Sequence, residues 1–422
     1  MTDTKELSCN FCGKFRDQVD KLVAGPGVYI CNECISISYK IIDQETSVPT
    51  ESNFDIPSPQ EIKNKFDEYI TGHQQVKEML SVSAYNHYKK IKFADNGMPL
   101  DKSNILLIGP TGTGKTLFAK TLANMMQVPF AIADATTLTE SGYVGEDVDS
   151  VLERLLSASD YNLEMAQRGI IYIDEIDKKA KRSDTGANTR DISGEGVQQA
   201  LLRLIEGTVS KIKISAQKYG DEFVEFDTSN VLFIVGGAFV GIEKTVQERI
   251  TRSSSIGFGA KISSRSKDFD ITDKLISDDV VKYGLIPELV GRLPIIGVLE
   301  NLTKEHLLTI LMNIKHNVID QTKQLLEMDD IQINFGDEYL ETCAELAIEK
   351  KLGARALKSI VEESMINLMF RAPELRKAGV VAICLDKYPN KPDNKPRLVY
   401  ENGDQETDTH YRLYRGENEK IS

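Results

Sequence analysis

NILLIGPTGTGKTLFAKTLANMM, Asn104 to Met126, reads as strand, glycine-rich turn and helix in succession. The apolar run Asn104–Gly109 is short and unbroken, as expected of a strand buried on both faces. Lys115–Met126 has apolar residues at helical spacing. Between them Gly109–Thr116, GPTGTGKT, fits the pattern G-x4-G-K-[ST], and a strand before it with a helix after it is the context that gives the pattern meaning. A loop of Gly109, Pro110, Thr111, Gly112, Thr113 and Gly114 can wrap phosphates with backbone N–H groups at a helix N-terminus. Lys115 would reach the outer phosphates, the Thr116 hydroxyl would hold Mg²⁺, and Leu117 continues the binding segment.

Outward from this stretch, apolar runs alternate with helical patterns. VPFAIADA, GIIYIDE and NVLFIVGGAF are strand candidates, separated by helical stretches such as VDSVLERLLSAS and VQQALLRLIEG. That alternation predicts an α/β domain with a parallel sheet covered on both faces. One strand, IIYIDEID (Ile170–Asp177), ends in carboxylates. Asp174 can hold Mg²⁺ through water, and Glu175 is placed to polarise an attacking water. Acidic residues also end strands simply because strands meet solvent there; a phosphate loop upstream favours the catalytic reading. Loop and carboxylates together indicate nucleotide hydrolysis, without saying what it drives.

Four of the six cysteines lie in the first 34 residues, as CNFC (Cys9, Cys12) and CNEC (Cys31, Cys34). The spacing C-x2-C-x18-C-x2-C falls in the zinc-ribbon range, and four thiolates make a closed, structural Zn²⁺ shell. Disulfides compete for the same residues but are rare in a reducing compartment. Cys343 and Cys384 sit in apolar segments and read as core. A polar stretch with three prolines follows the module and reads as a linker. From about Leu302 the pattern turns mostly helical, with a strand at Gly379–Leu385, and the final ~20 residues read as loose. The expected division is a zinc module at 1–42, a linker at 43–60, a large domain at 61–300, a small domain at 301–400 and a polar tail at 401–422.

The chain has 422 residues, 51 Lys plus Arg and 64 Asp plus Glu, for a net charge of −13. This balance weighs against broad nucleic-acid binding. No apolar run approaches the roughly 20 residues of a membrane span, and the N-terminus carries no apolar signal core, so the expected location is the cytoplasm.

TESGYVGEDV (Thr139–Val148) places Tyr143 and Val144 between two glycines with acidic flanks, an aromatic residue on a wet, flexible loop. SSSIGFGA (Ser253–Ala260) puts Ile256 and Phe258 on another such loop. Either loop could dock a partner or fold back on its own domain. Arg292, in LIPELVGRLPIIGVL at the end of the large domain, and Arg355, in KLGARALKSI where a helix of the small domain opens, could serve in surface ion pairs or could neutralise phosphoryl charge.

Taken together, the cysteine module, GPTGTGKT, SGYVGEDV, YIDEIDK, RDISGEGVQQALL, IGF, GRLP and GAR, in this order from Cys9 to about Leu385, resemble the ClpX family of AAA+ unfoldases. The resemblance implies a homohexameric ring with a central pore, a treble-clef-like zinc module that recruits adaptors and some substrates, and delivery of unfolded protein to the ClpP peptidase. It implies that Tyr143 and Val144 form the first pore loop and Arg190–Val197 the second. Arg292 would reach a neighbour's ATP, Arg355 would sense nucleotide from the small domain, and Ile70, within Ile70-Thr71-Gly72, would lie by the adenine. Ile256, Gly257 and Phe258 would dock on ClpP. The family's Arg-Lys-His triplet at the pore entrance is missing from SKIKISAQKYGDEFVEF, which has Lys211, Lys213 and Lys218 together with Asp221 and Glu222. VLFIVGGAF shows no obvious Asn or Thr sensor. Three rivals are an HslU-like unfoldase, an AAA+ remodelling chaperone without a peptidase, and a DNA-acting AAA+ protein. The cysteine module, the IGF loop and the short span from Tyr143 to Asp174 oppose the first; the net charge opposes the third. A non-enzymatic adaptor built on the zinc module is opposed by the intact nucleotide motifs.

Overall fold

The computed structural model describes residues 7–38, 55–93, 102–139, 145–181, 192–214, 222–254, 271–391 and 393–413. The chain divides into two compact units, 1–55 and 56–422.

In the first unit Leu22–Gly25 and Val28–Cys31 pair antiparallel, with Gly25 opposite Val28 across a two-residue turn. Cys31 closes the second strand, and residues 32–38 are helical. Among the described residues here only Cys9 and Cys31 are buried, while Phe11, Phe15, Val23, Val28 and Ile37 are exposed. Without an apolar core, a module this small needs another source of stability.

The second unit opens with α1 (Pro59–Tyr69) and α2 (Gln74–Lys92). Ser58 caps α1 by accepting from the Glu61 N–H, and the Glu61 side chain accepts from the Ser58 N–H at 2.7 Å. The helix therefore begins inside the stretch expected as linker up to residue 60. The central sheet holds β1 (Ile105–Ile108), β2 (Phe130–Asp134), β3 (Ile170–Asp174), β4 (Leu232–Gly237) and β5 (Ile295–Val298). Their order is β5-β1-β4-β3-β2, all parallel. β1 and β4 are buried throughout, which is why they read as continuous apolar runs rather than alternating ones. Helices α3 (Lys115–Met126), α4 (Ser150–Ala158), α5 (Ile192–Glu206) and α6 (Ile242–Ser254) complete the layers. α4 and α5 bury Leu152, Leu155, Leu201 and Ile205 in one cluster with Ile171, Ile173 and Phe233. The stretch expected at the pore entrance is an antiparallel hairpin, Val209–Ile214 with Glu222–Asp227, whose tip lies outside the described residues.

Beyond β5 the chain builds a second core. The mostly helical stretch expected from about Leu302 opens with two helices, α7 (Lys304–Met312) and α8 (Val318–Glu327). Lys315 N donates to Glu68 O at 2.9 Å, and Asn317 caps α8. α9 (Asp337–Glu349) and α10 (Ala354–Lys377) follow, the latter running past Pro373. The single strand expected here is one of four: β6 (Gln332–Phe335), β7 (Val380–Leu385), β8 (Arg397–Tyr400) and β9 (Gln405–Thr407), in sequential order.

This corrects the tail expected at 401–422 for its described residues, 401–413. β9 pairs with β8, Asp408 is buried against Arg371 at 2.8 Å, and the buried Tyr411 hydroxyl donates to Ser364 O at 2.9 Å. Polar composition misleads at this point because its partners lie on α10, more than thirty residues upstream.

Candidate nucleotide cleft and zinc module

β1 delivers the chain to the phosphate loop, and Gly114, in the left-handed region at φ +100°, turns it into α3. Thr113 Oγ1 donates to Pro110 O at 2.8 Å, bracing the loop from inside. Lys115 is buried, and its ammonium donates to Gly109 O at 2.6 Å and Pro110 O at 2.9 Å. Burial lowers its pKa, against the attraction of Asp174 and Asp177. Its charge is thus held by the loop's own carbonyls, within the loop that phosphates would enter.

Two places from β1 in the sheet, on the far side of β4, β3 ends at Asp174. Thr116 Oγ1 donates to Asp174 Oδ2 at 3.2 Å, so the two residues expected to hold Mg²⁺ meet. Tyr172 OH and the Glu175 N–H donate to the other carboxylate oxygen, at 3.1 and 3.0 Å. Three donors fix Asp174 as an acceptor facing the loop, a donor set of hard oxygens that suits magnesium. Glu175 follows in the left-handed conformation, at φ +58°. That is uncommon for a residue with a side chain and is a form of strain found at functional sites.

The small domain closes the cleft. Ala354 N donates to Gly112 O at 3.1 Å, and Gly112, at φ +81°, lies so close to Leu352 that an added Cβ would stand 2.1 Å from the Leu352 carbonyl oxygen. Arg355 and Lys358, one turn apart on α10, face Lys115, Asp174 and Glu175 across a cavity of about 490 Å³. That volume lies within the range of small-ligand sites.

Several lining residues escaped the sequence reading. Asp177 is buried, and its carboxylate accepts from the Ala238 N–H at 3.0 Å, tying the end of β3 to the end of β4. The Ala238 backbone thus stands where a side-chain sensor was sought. Lys178 and Lys358 add positive charge; the i, i+3 spacing of Arg355 and Lys358 was the available signal for the latter. Tyr172 escaped because an aromatic residue in an apolar strand reads as core.

Ile70 is buried at the end of α1, and its carbonyl accepts from the buried Lys77 ammonium at 2.7 Å. Three residues on, His73 packs edge-on to Phe118 of α3, so this turn abuts the phosphate-loop helix. Arg292 does not line the cleft; its Nε donates to Glu206 at 2.9 Å. Leu117 lines the cleft's rim and is exposed. Tyr143, Val144, Ile256, Gly257 and Phe258 lie outside the described residues, as do Arg190 and Asp191. The remainder of the expected second pore loop forms the first turns of α5.

In the first unit the sulfurs of Cys9, Cys12, Cys31 and Cys34 lie within 4.8 Å of one another. Gly13 N donates to Cys9 O at 2.9 Å, turning the first knuckle, and the Cys31 N–H points at Cys9 Sγ at 3.3 Å. The thiols titrate unequally. Burial opposes ionisation of Cys9, yet N–H donors from Cys12, Phe11 and Cys31 draw its pKa down to about 6. Burial and the neighbouring thiols push Cys34 up to about 12. Four sulfurs this close can all ionise only around a cation. The donor set fits zinc.

Residues 7–44 match the ClpX C4-type zinc finger, residues 100–296 the AAA domain of the Cdc48 subfamily, and residues 302–379 the C-terminal D2-small domain of the ClpB protein. Together these matches are consistent with the ClpX family. The AAA domain makes the chain an ATPase, and together with the ClpX-type zinc-binding module it supports an unfoldase chaperone. Among the described residues no helix is long and apolar enough to cross a membrane.

Proposed function

We propose that this chain is an ATP-driven protein unfoldase that works as a homohexameric ring and threads polypeptides through its pore into the ClpP peptidase. One observation carries the reading. The phosphate loop, the Thr116–Asp174 pair, Glu175 and Arg355 converge on a cleft whose far wall is the small domain. A nucleotide bound there touches both domains, so its turnover can change the angle between them.

Within the cleft, N–H groups of the loop and the start of α3 receive the phosphates, and Lys115 exchanges its two carbonyl partners for the outer phosphate oxygens. Thr116 and Asp174 hold magnesium, which when bound neutralises phosphate charge. Glu175 orients the attacking water and accepts its proton. Ile70 borders the base, and Arg355 carries the phosphate state to α10. Arg292, which does not line its own cleft, acts on the nucleotide of the adjacent subunit. Tyr143 and Val144 grip substrate without reading its sequence, Ile256-Gly257-Phe258 docks on ClpP, and the zinc module recruits adaptors.

The test is loss of fluorescence from a stably folded reporter carrying an unstructured tail, with ATP, with and without ClpP. Loss that needs ATP and becomes irreversible with ClpP is expected, and Glu175→Gln should bind ATP while hydrolysing it at least about a hundredfold more slowly. Unfolding without any dependence on ClpP would favour a remodelling chaperone. Normal turnover by Glu175→Gln would remove the catalytic assignment.

A further inference from the structure

Arg292 is fixed at two points, and both lead to the last two residues of α5. Its backbone carbonyl accepts from Asn104 Nδ2 at 3.2 Å; the same nitrogen also reaches Ile205 O at 3.4 Å, and Asn104 Oδ1 accepts from the Phe233 N–H at 3.3 Å. Asn104 is buried, so this knot joins the start of β1, β4, the end of α5 and Arg292 in the core. The second point is the side chain, where Nε donates to Glu206 Oε1 at 2.9 Å.

The contact uses Nε alone. The two terminal guanidinium nitrogens bond no other described residue, and the side chain is 54% exposed. A guanidinium carries five N–H donors in a rigid fork. Anchoring it by Nε sets the plane of the fork and leaves the phosphate-binding edge directed outward. Glu206 is itself an anomaly. It is an acidic residue at the C-terminal end of α5, where the helix dipole already concentrates negative charge and disfavours a carboxylate. A local rule broken at such a place points to a use.

We infer that Glu206 is a positioning residue that presets the Arg292 fork for the phosphates of a neighbouring subunit, with Asn104 fixing the backbone beneath it. The inference rests on the reading of Arg292 under Proposed function. Because α5 begins at Ile192, the fixture also links the helix expected to carry the second pore loop to the arginine that acts in trans.

The experiment measures steady-state ATP hydrolysis by the full-length chain for Glu206→Ala, Glu206→Gln, Arg292→Ala and the double variant Glu206→Ala/Arg292→Ala. ATP affinity is measured separately with a fluorescent analogue. Glu206→Ala should lower kcat about three- to fivefold, the scale of an exposed ion pair, with KM and affinity unchanged. Glu206→Gln should recover most of the rate, since its carbonyl oxygen still accepts from Nε. The double variant should be no slower than Arg292→Ala. An unchanged kcat in Glu206→Ala, with Arg292→Ala inactive, overturns the inference while leaving the trans arginine in place. A further loss in the double variant overturns it too, because Glu206 would then act independently of Arg292. An active Arg292→Ala would instead remove the reading beneath it.

Discussion

Replacing Gly112 by alanine should unseat the small domain from the phosphate loop. The backbone at 112 has φ +81°, and a Cβ would stand 2.1 Å from the Leu352 oxygen and 2.9 Å from its carbonyl carbon. Neither is the end of a flexible side chain, so Leu352 and Gly353 must move. The left-handed conformation costs alanine about 1–2 kcal/mol. Displacing Leu352–Gly353 sacrifices the Ala354 N–H to Gly112 O bond, about 0.5–1.5 kcal/mol. The sum is about 1.5–3.5 kcal/mol, relieved by opening this contact. Gly114→Ala is the internal control. It sits at φ +100° with nothing within 4 Å of the added carbon, so it carries backbone strain without the clash. Hydrogen exchange of the Ala354 amide reads the contact directly, since local opening sets its rate. In Gly112→Ala it should exchange roughly 10- to 300-fold faster, each 1.4 kcal/mol being about tenfold. In Gly114→Ala the change should stay within about threefold. Unchanged protection in Gly112→Ala, or equal loss in both variants, would show that the backbone contact between loop and small domain does not hold the two together.

Removing zinc with a chelator, or replacing Cys31 by serine, should unfold the first unit while leaving thermal unfolding of residues 56–413 unchanged; retained chemical-shift dispersion for residues 7–38 without metal would contradict the absence of an apolar core. Arg371→Ala leaves the Asp408 carboxylate buried and should destabilise the small domain by about 3–5 kcal/mol, whereas Arg371→Ala/Asp408→Ala should cost less, as denaturant titrations would show. His87 is buried with Nε2 against Asn230 O, and burial lowers its pKa from 6.5 to about 4. The unfolded chain then binds the proton first as pH falls, so the stability is intact above about 6.5 and is lost progressively toward 4. Between pH 7 and 5 this group should account for about 2 kcal/mol of lost stability. Urea midpoints at both values should show a smaller fall for His87→Gln, and equal falls would refute the assignment.

The features legible in sequence are those whose chemistry lies within one contiguous stretch. Lys115–Met126 is a helix over the residues its apolar spacing marks, because a turn of helix is decided by neighbours three and four apart. β1, β3 and β4 announce themselves because strands buried on both faces admit few polar residues. The two cysteine pairs are legible because each knuckle is a local turn. Other features depend on partners far along the chain. Arg355 and Lys358 come to face Asp174 and Glu175 through the docking of the small domain on Gly112. Asp177 finds the Ala238 N–H because β3 and β4 are neighbours in the sheet order. Residues 405–411 read as a tail because polarity is local, whereas Arg371 and Ser364, which hold them, are not. The sequence alone determined the chemistry of phosphate, carboxylate and thiolate. Only the tertiary structure decided that Arg292 rests on Glu206 and does not line its own cleft, because that choice depends on which ends the parallel sheet brings together.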